Sequence, residues 1–302
     1  MMGRLIKAEF RKILTTKLWW AMMIPAFILA LAWAWGVSAL TTDIVDDVAD
    51  EAILTQFNIS IDQLSWSAIA LTRSMNIATI FPMIFGALAL ASEINRKTIT
   101  TSFLTAPNRG SLLSAKAVTY VVWGLIFGVL IAVGASLGTV IGSGSDYLPS
   151  GGDWLMIALS GILGCLLWTL LGLGVGALLG SPVGALVLLL IYSLIVGPIG
   201  DLVMTGLTDG SYLAGFLPNG AANGLTGSTA SQVLFTQVQD LILNVGGGLV
   251  SQDDQEGFEE VVRAIAGAPG ALTLWISGLI FLAWTAIFFA LGILRNRTRD
   301  IT

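Results

Sequence analysis

Apolar and polar positions in this chain fall into long blocks rather than the short alternations of a soluble domain. Windows free of Asp, Glu, Lys and Arg run over Leu18–Thr42, Ser74–Ser92, Ala117–Ser145, Trp154–Gly200 and Ala264–Leu294. A helix needs about 20 apolar residues, at about 1.5 Å rise each, to cross roughly 30 Å of hydrocarbon. Four of the windows therefore predict one span apiece. The window Trp154–Gly200 holds 47 residues, about 70 Å as a single helix, and Gly180, Ser181, Pro182 and Gly184 interrupt it near its middle. Residues of that kind break helices, so this window predicts two spans and a tight turn. The pattern thus gives an all-α membrane protein with six transmembrane helices, near 18–41, 68–92, 115–141, 154–179, 183–204 and 271–294. Ser211–Gln239 is also uncharged but rich in Gly, Asn, Ser, Thr and Gln. It is expected to be loop, within a long connection at about 205–270.

Outside the spans the periodicity is helical in two places. Leu5, Ile6, Phe10, Ile13 and Leu14 share one side of a helix whose other side carries Arg4, Lys7, Arg11 and Lys12. This predicts an amphipathic N-terminal helix lying in the membrane interface, either as a basic anchor or as a contact for a cytoplasmic partner. After the first span, Ile44, Val45, Val48, Ala52 and Ile53 interleave with Asp43, Asp46, Asp47, Asp50 and Glu51, the pattern of a solvated acidic cap.

Composition agrees with the spans. Of 302 residues, 55% are hydrophobic and 11% charged, against about 25% charged in a soluble domain. Histidine is absent and cysteine occurs once. That excludes a disulfide framework, a Cys/His zinc site, a Ser/His/Asp triad and a Cys/His dyad. No metal, cofactor or nucleic acid is called for by any motif, and the whole chain, 1–302, reads as one transmembrane domain.

The charges are sorted by side. Twelve of the 14 Lys and Arg lie before span one, between spans two and three, or after span six, together with only Glu9, Glu93 and Asp300. That side carries net +9. The other, with Arg73, Arg263 and 16 acidic residues, carries −14. By the positive-inside rule both termini are cytoplasmic. Trp19 and Trp20 at one edge of span one, and Trp33, Trp35, Trp66, Trp154 and Trp275 near opposite edges, are placed as interfacial anchors. The N-terminal stretch is not expected to be a cleavable signal peptide, because its apolar run exceeds the usual h-region of about 7 to 15 residues.

The segment between spans two and three is far longer than a connecting turn requires. From Glu93 to Lys116 it carries an acidic residue at the membrane exit, a Thr-rich helical stretch, a Pro turn and spaced basic residues. Its pattern is Glu93, Thr98 five residues on, a short apolar helix, Pro107-x-Arg109, then Lys116 opening span three. The N-terminal Glu9-Phe10-Arg11-Lys12 with Thr16 and Trp19, and the ending from Leu274-Trp275 to Arg295 and Asp300, complete a layout covering the whole chain. In these features the chain resembles the membrane subunits of ABC transporters of the type-2 permease class, which have an exporter fold.

The resemblance implies a bacterial inner-membrane, multi-pass permease whose segment 93–116 forms a cytoplasmic coupling helix docked on a separate ATPase. Glu93, Thr98, Pro107, Arg109 and Lys116 are then the coupling residues. It further implies two copies of a P-loop ATPase, with ATP and Mg bound there, and a second permease subunit, identical or paralogous. The chain has no P-loop of its own, since none of its five lysines follows a glycine. Glu93 also has a simpler reading, as a carboxylate paired with Arg96 or Lys97. Arg73, about one and a half turns inside span two, and Asp201, at the outer end of span five, are boundary charges that either pair or snorkel to the interface.

Two other classes share parts of the pattern. A non-transporting scaffold or sensor bound to an ATPase-like partner shares all of it. A gradient-driven secondary transporter is expected to show ionisable groups or broken helices at mid-membrane, whereas these spans are nearly charge-free away from their ends. An intramembrane enzyme would need a nucleophile or metal constellation that the spans lack. The substrate is not legible, although a Trp-, Phe- and Met-rich interior tilts toward apolar cargo.

Overall fold

The computed structural model describes residues 2–49, 64–99, 108–144, 147–208, 211–246 and 261–298. A short helix α1 (Met2–Thr15) leads through a bend into α2 (Leu18–Ala49). The second span is α3 (Ser67–Ala78) followed after Thr79 by α4 (Ile80–Asn95). Then come α5 (Arg109–Ser143), α6 (Gly151–Leu179) and α7 (Pro182–Ile191). A π-turn at Tyr192–Val196 joins α7 to α8 (Gly197–Leu207). A 3-10 turn (Tyr212–Phe216), α9 (Pro218–Gly246) and α10 (Leu274–Thr298) complete the described elements.

Among the described residues, six stretches are long and apolar enough to cross a membrane: Leu18–Asp47, Ser67–Asn95, Gly110–Ser143, Gly151–Leu179, Pro182–Leu207 and Leu274–Asn296. Each overlaps one of the spans read from the sequence. The turn between the fourth and fifth falls at the expected breakers. Gly180 ends α6 in the left-handed region at φ +66°, where a side chain would be strained, and the Ser181 hydroxyl accepts from Gly184 N to cap α7.

Helix α6 is the hub, packed against α4, α5, α9 and α10, while α2 lies along α5. Its glycines explain how close that packing is. A β-carbon at Gly176 would sit 2.0 Å from Ala87 O, and one at Gly172 would sit 2.1 Å from Met83 O. Small residues let the α4 and α6 backbones touch, which replaces the hydrophobic drive that helices lose in lipid. The glycine stripe of this helix is therefore spent on packing within the subunit. The α7–α8 span is the least enclosed, with Val183, Leu188, Ile195, Leu202 and Leu207 exposed on its flank.

The window Ser211–Gln239 departs from expectation: helix covers it from Pro218 onward. The backbone N–H of Asn219 donates to the Tyr192 hydroxyl at 3.1 Å, and Trp284 Nε1 donates to Phe216 O at 2.9 Å. Tyr192 and Trp284 each lie ten residues inside their spans, about 15 Å deep at 1.5 Å per residue. Residues 216–219 thus sit at mid-depth, and α9 runs from there to the far end, where Gln237 exchanges hydrogen bonds with the Ser65 backbone N–H (2.8 Å) and hydroxyl (2.9 Å). The composition that suits a loop in water suits close packing here. Ala221, Ala222, Thr226 and Ala230 are buried, and the Ser231 hydroxyl bonds back to Gly227 O at 3.0 Å.

The backbone contact between α4 and α6 makes a bulky residue at Gly176 intolerable. Gly176→Val is expected to destabilise the purified protein by about 1–3 kcal/mol or more, whereas Gly36→Val, where a β-carbon meets nothing within 4 Å, leaves it unchanged. Thermal unfolding in detergent with size-exclusion chromatography checks this, and equal melting of both variants would contradict the packing.

Candidate functional site

At the end of the bundle that carries both termini, four charged side chains from three elements converge. Glu9 comes from α1, Glu93 from the last turn of α4 and Lys116 from α5; Lys12 lies one turn beyond Glu9. Lys116 Nζ is 2.6 Å from Glu9 Oε2 and 2.7 Å from Glu93 Oε1. Lys12 also holds Glu93, and lies 3.8 Å from Glu9. The Lys116 side chain is 1% exposed, and Glu9 and Glu93 are buried. Two positive and two negative charges leave the cluster neutral, the condition under which ions survive removal from water.

Local sequence explains how each group arrives. Glu9 is the one acidic residue of α1 and falls on its apolar side, three residues after Ile6 and four before Ile13, so it turns inward when that stripe docks. Asn108 caps α5 by accepting from Ser111 N at 2.7 Å, and two turns later Lys116 faces the interior. Above the charges lies an aromatic layer. The Phe85 ring is 5.2 Å from Tyr120, 5.7 Å from Trp123 and 5.2 Å from Phe127, and Trp19 is 5.9 Å from Trp123. This wall keeps water from the ion pairs on one side and strengthens them. Partial burial works against the charge of Lys12, but Glu93 and Glu9 outweigh it and hold the ammonium pKa above its ordinary 10.5.

Of the residues expected to act together, Glu93 and Lys116 are in direct contact. The Thr98 hydroxyl donates to Glu93 O at 3.4 Å, close to the end of α4. Arg109 starts α5, and neither its side chain nor Pro107 and segment 100–107 are among the described residues. The partners that the fold supplies to Glu93 are Lys12 and Lys116, 81 and 23 residues away. Sequence reasoning singled out neither Glu9 nor Lys12 for this contact. The available signal was an acid on the apolar face of a basic helix.

Arg73 and Asp201 are not ion-paired with each other, yet both line one cavity between the second and fifth spans. Arg73 Nε donates to Ile265 O at 3.0 Å and Nη2 to Ala264 O at 3.2 Å. Asp201 Oδ2 accepts from Asn219 Nδ2 at 2.7 Å. Two polar centres therefore exist, one at the terminal-bearing end and one within the bundle. No group of three or more metal-ligating side chains occurs among the described residues.

A family model described as ABC-2 family transporter protein matches residues 4–301. The chain belongs to that family, and is a multi-pass membrane permease of the ABC transporter class. No curated protein matches it.

The cluster predicts unequal roles for its lysines. Lys116→Ala strands two buried carboxylates with one half-exposed partner and is expected to cost about 3–5 kcal/mol. Lys12→Ala, whose ammonium is partly exposed so that water can take its place, should cost less. Thermal unfolding in lipid nanodiscs measures both, and equal losses would refute the geometry.

Proposed function

From membership of the ABC-2 transporter family, we propose that this chain is the membrane half of an ATP-driven exporter. It forms the substrate path and couples to a separate P-loop ATPase, two copies of which bind ATP and Mg. A second permease subunit, identical or paralogous, completes the path. In this reading both termini and segment 93–116 face the cytoplasm of a bacterial cell, an orientation that the sorting of +9 and −14 charges supports.

The observation that carries this reading is the buried cluster of Glu9, Lys12, Glu93 and Lys116. A segment that receives force from an ATPase must be joined rigidly to the spans it moves. The cluster joins α1, the exit of the second span and the start of the third into one unit at the root of that segment. Displacing one of the three elements alone would break ion pairs in a dry setting, which is costly, so they move together. Glu93, Thr98, Pro107, Arg109 and Lys116 are the coupling residues in this scheme, with Glu9 and Lys12 added as the brace.

One observation favours a gradient-driven alternative. The fifth span is interrupted by a π-turn, and a buried carboxylate, Asp201, lies beside it, a combination used by ion-coupled transporters. ATP dependence separates the two readings.

In proteoliposomes containing the permease and its ATPase, Glu93→Ala and Arg109→Ala are expected to insert normally while cargo-stimulated ATP turnover falls by about tenfold, a loss of about 1.4 kcal/mol of coupling. Normal coupled turnover in both variants would remove the coupling assignment. Flux that follows an ion gradient without ATP would favour the alternative.

A further inference from the structure

The cavity between the second and fifth spans holds about 330 Å³, at the lower end of the roughly 300–1,000 Å³ usual for small-molecule sites. Its walls combine Trp33, Trp168, Ile77, Ile80 and Leu194 with the polar side chains of Arg73, Asn76, Thr79, Ser193, Asp201, Asn219 and Asn223. Three features give this lining a chemical direction.

The first is Asp201. It is 1% exposed; Oδ2 is taken by Asn219, while Oδ1 makes no well-formed hydrogen bond, although the Gly220 backbone and the Asn223 side chain lie close to the carboxylate. A carboxylate in this setting has no positive partner and only weakly placed donors on one oxygen. The second is the fifth span itself. Pro198 provides no backbone N–H, so a carbonyl in the preceding Ser193–Leu194 turn loses its helical partner, and both of those residues line the cavity. The third is where Arg73 spends its donors. Nε and Nη2 are engaged by the carbonyls of Ile265 and Ala264, and no ion pair forms with Asp201. Arg73 thus spends these donors on carbonyls rather than on Asp201, and Trp33, Trp168, Ile77, Ile80 and Leu194 form the apolar part of the wall.

We propose that this cavity is a cargo subsite for a small monocationic amphiphile, whose protonated amine bonds Asp201 Oδ1 and whose apolar body lies against Trp33 and Trp168. The assignment rests on the transport reading and names its substrate class. The amine supplies the charge and the well-formed hydrogen bond that Oδ1 does not obtain from its neighbours. Asn219 fixes the carboxylate from the other side and belongs to α9, so cargo and the helix that rises to the far end share one anchor.

The test uses the intact permease in phosphatidylcholine nanodiscs, titrated calorimetrically with 1-naphthylmethylamine, protonated at pH 7, and with 1-naphthylmethanol, its neutral counterpart of equal size. Empty nanodiscs provide the partitioning blank. The amine is expected to bind about tenfold or more tightly than the alcohol. Asp201→Asn should bring the two within about twofold by weakening the amine alone. Leu202→Trp, on the cavity wall with Asp201 intact, should weaken both compounds alike. Equal binding of the two by the unsubstituted protein, no saturable binding of the amine, or a preference that survives in D201N would each overturn the assignment. So would a Leu202→Trp variant that binds both as before. The wild-type ratio decides even if D201N does not fold. ATP-driven flux without amine preference would remove the subsite and keep the exporter. Amine binding without ATP-driven flux would keep the subsite and remove the exporter.

Discussion

A lysine ammonium held almost entirely out of water is the constraint on which the terminal-bearing end of this protein depends. Lys116 is tolerated there because Glu9 and Glu93 lie 2.6 and 2.7 Å away, and those carboxylates are tolerated because Lys116 and Lys12 neutralise them. No member comes from the same element as all its partners, so none can be satisfied until α1, α4 and α5 are in place. An exposed amphipathic helix such as α1 would otherwise be free to slide in the interface, since apolar contact with lipid is non-directional. The ion pairs give it a fixed register. Phe10, Trp19, Phe85 and Trp123 then close over the charges.

Away from that cluster the fold is governed by the need to satisfy backbone polar groups without water. Glycine contacts between α4 and α6 bring helices together at backbone distance, and hydroxyls such as Thr169 on Cys165 O and Thr285 on Phe281 O fold back on their own helices. The same rule admits α9. Its start lies at mid-depth, where a free helix end would be costly, and the Tyr192 hydroxyl takes the N–H of Asn219 while Trp284 takes the carbonyl of Phe216. An uncharged segment rich in small polar residues is therefore compatible with membrane depth once neighbouring spans supply partners.

This explains what was legible in the sequence. Span positions follow from runs of about 20 uncharged residues, a property of each segment alone, and the break at Gly180–Pro182 follows from local backbone chemistry. The 93–116 segment stood out because its polar pattern is far denser than a turn needs. Three things depended on tertiary partners instead. Ser211–Gln239 looked like loop because helix propensity is low for Gly, Asn, Ser and Thr, and only the packing surfaces of α3, α6 and α10 reverse that preference. Glu9 was hidden among basic neighbours, though its place on the apolar face was visible. Arg73 and Asp201 were recognised as unusual charges, but nothing local shows that one would be held by carbonyls of residues 264 and 265 and the other by Asn219.

The two polar centres are connected by a single span that is not uniform along its length. Glu93 ends α4 in the cluster, whereas Arg73 and Asn76 belong to α3 and line the cavity. Between them the helix is interrupted at Thr79, three residues before Pro82, whose missing N–H removes one bond of the ladder. The α4 half is seated against α6 at backbone contact through Gly86, Gly172 and Gly176. The α3 half instead meets α9, with the Thr226 hydroxyl on Asn76 Oδ1 at 2.5 Å. On the exporter reading, a push at the cluster moves α4 and α6 as a block, and the weak point at Thr79 is where that motion becomes a change in the angle of α3. Asn76, Arg73 and the start of α9 would then shift against Asp201, so that the cavity changes shape without α4 having to slide past α6. The rigidity of the charged end and the discontinuity of the span above it are complementary requirements of one device.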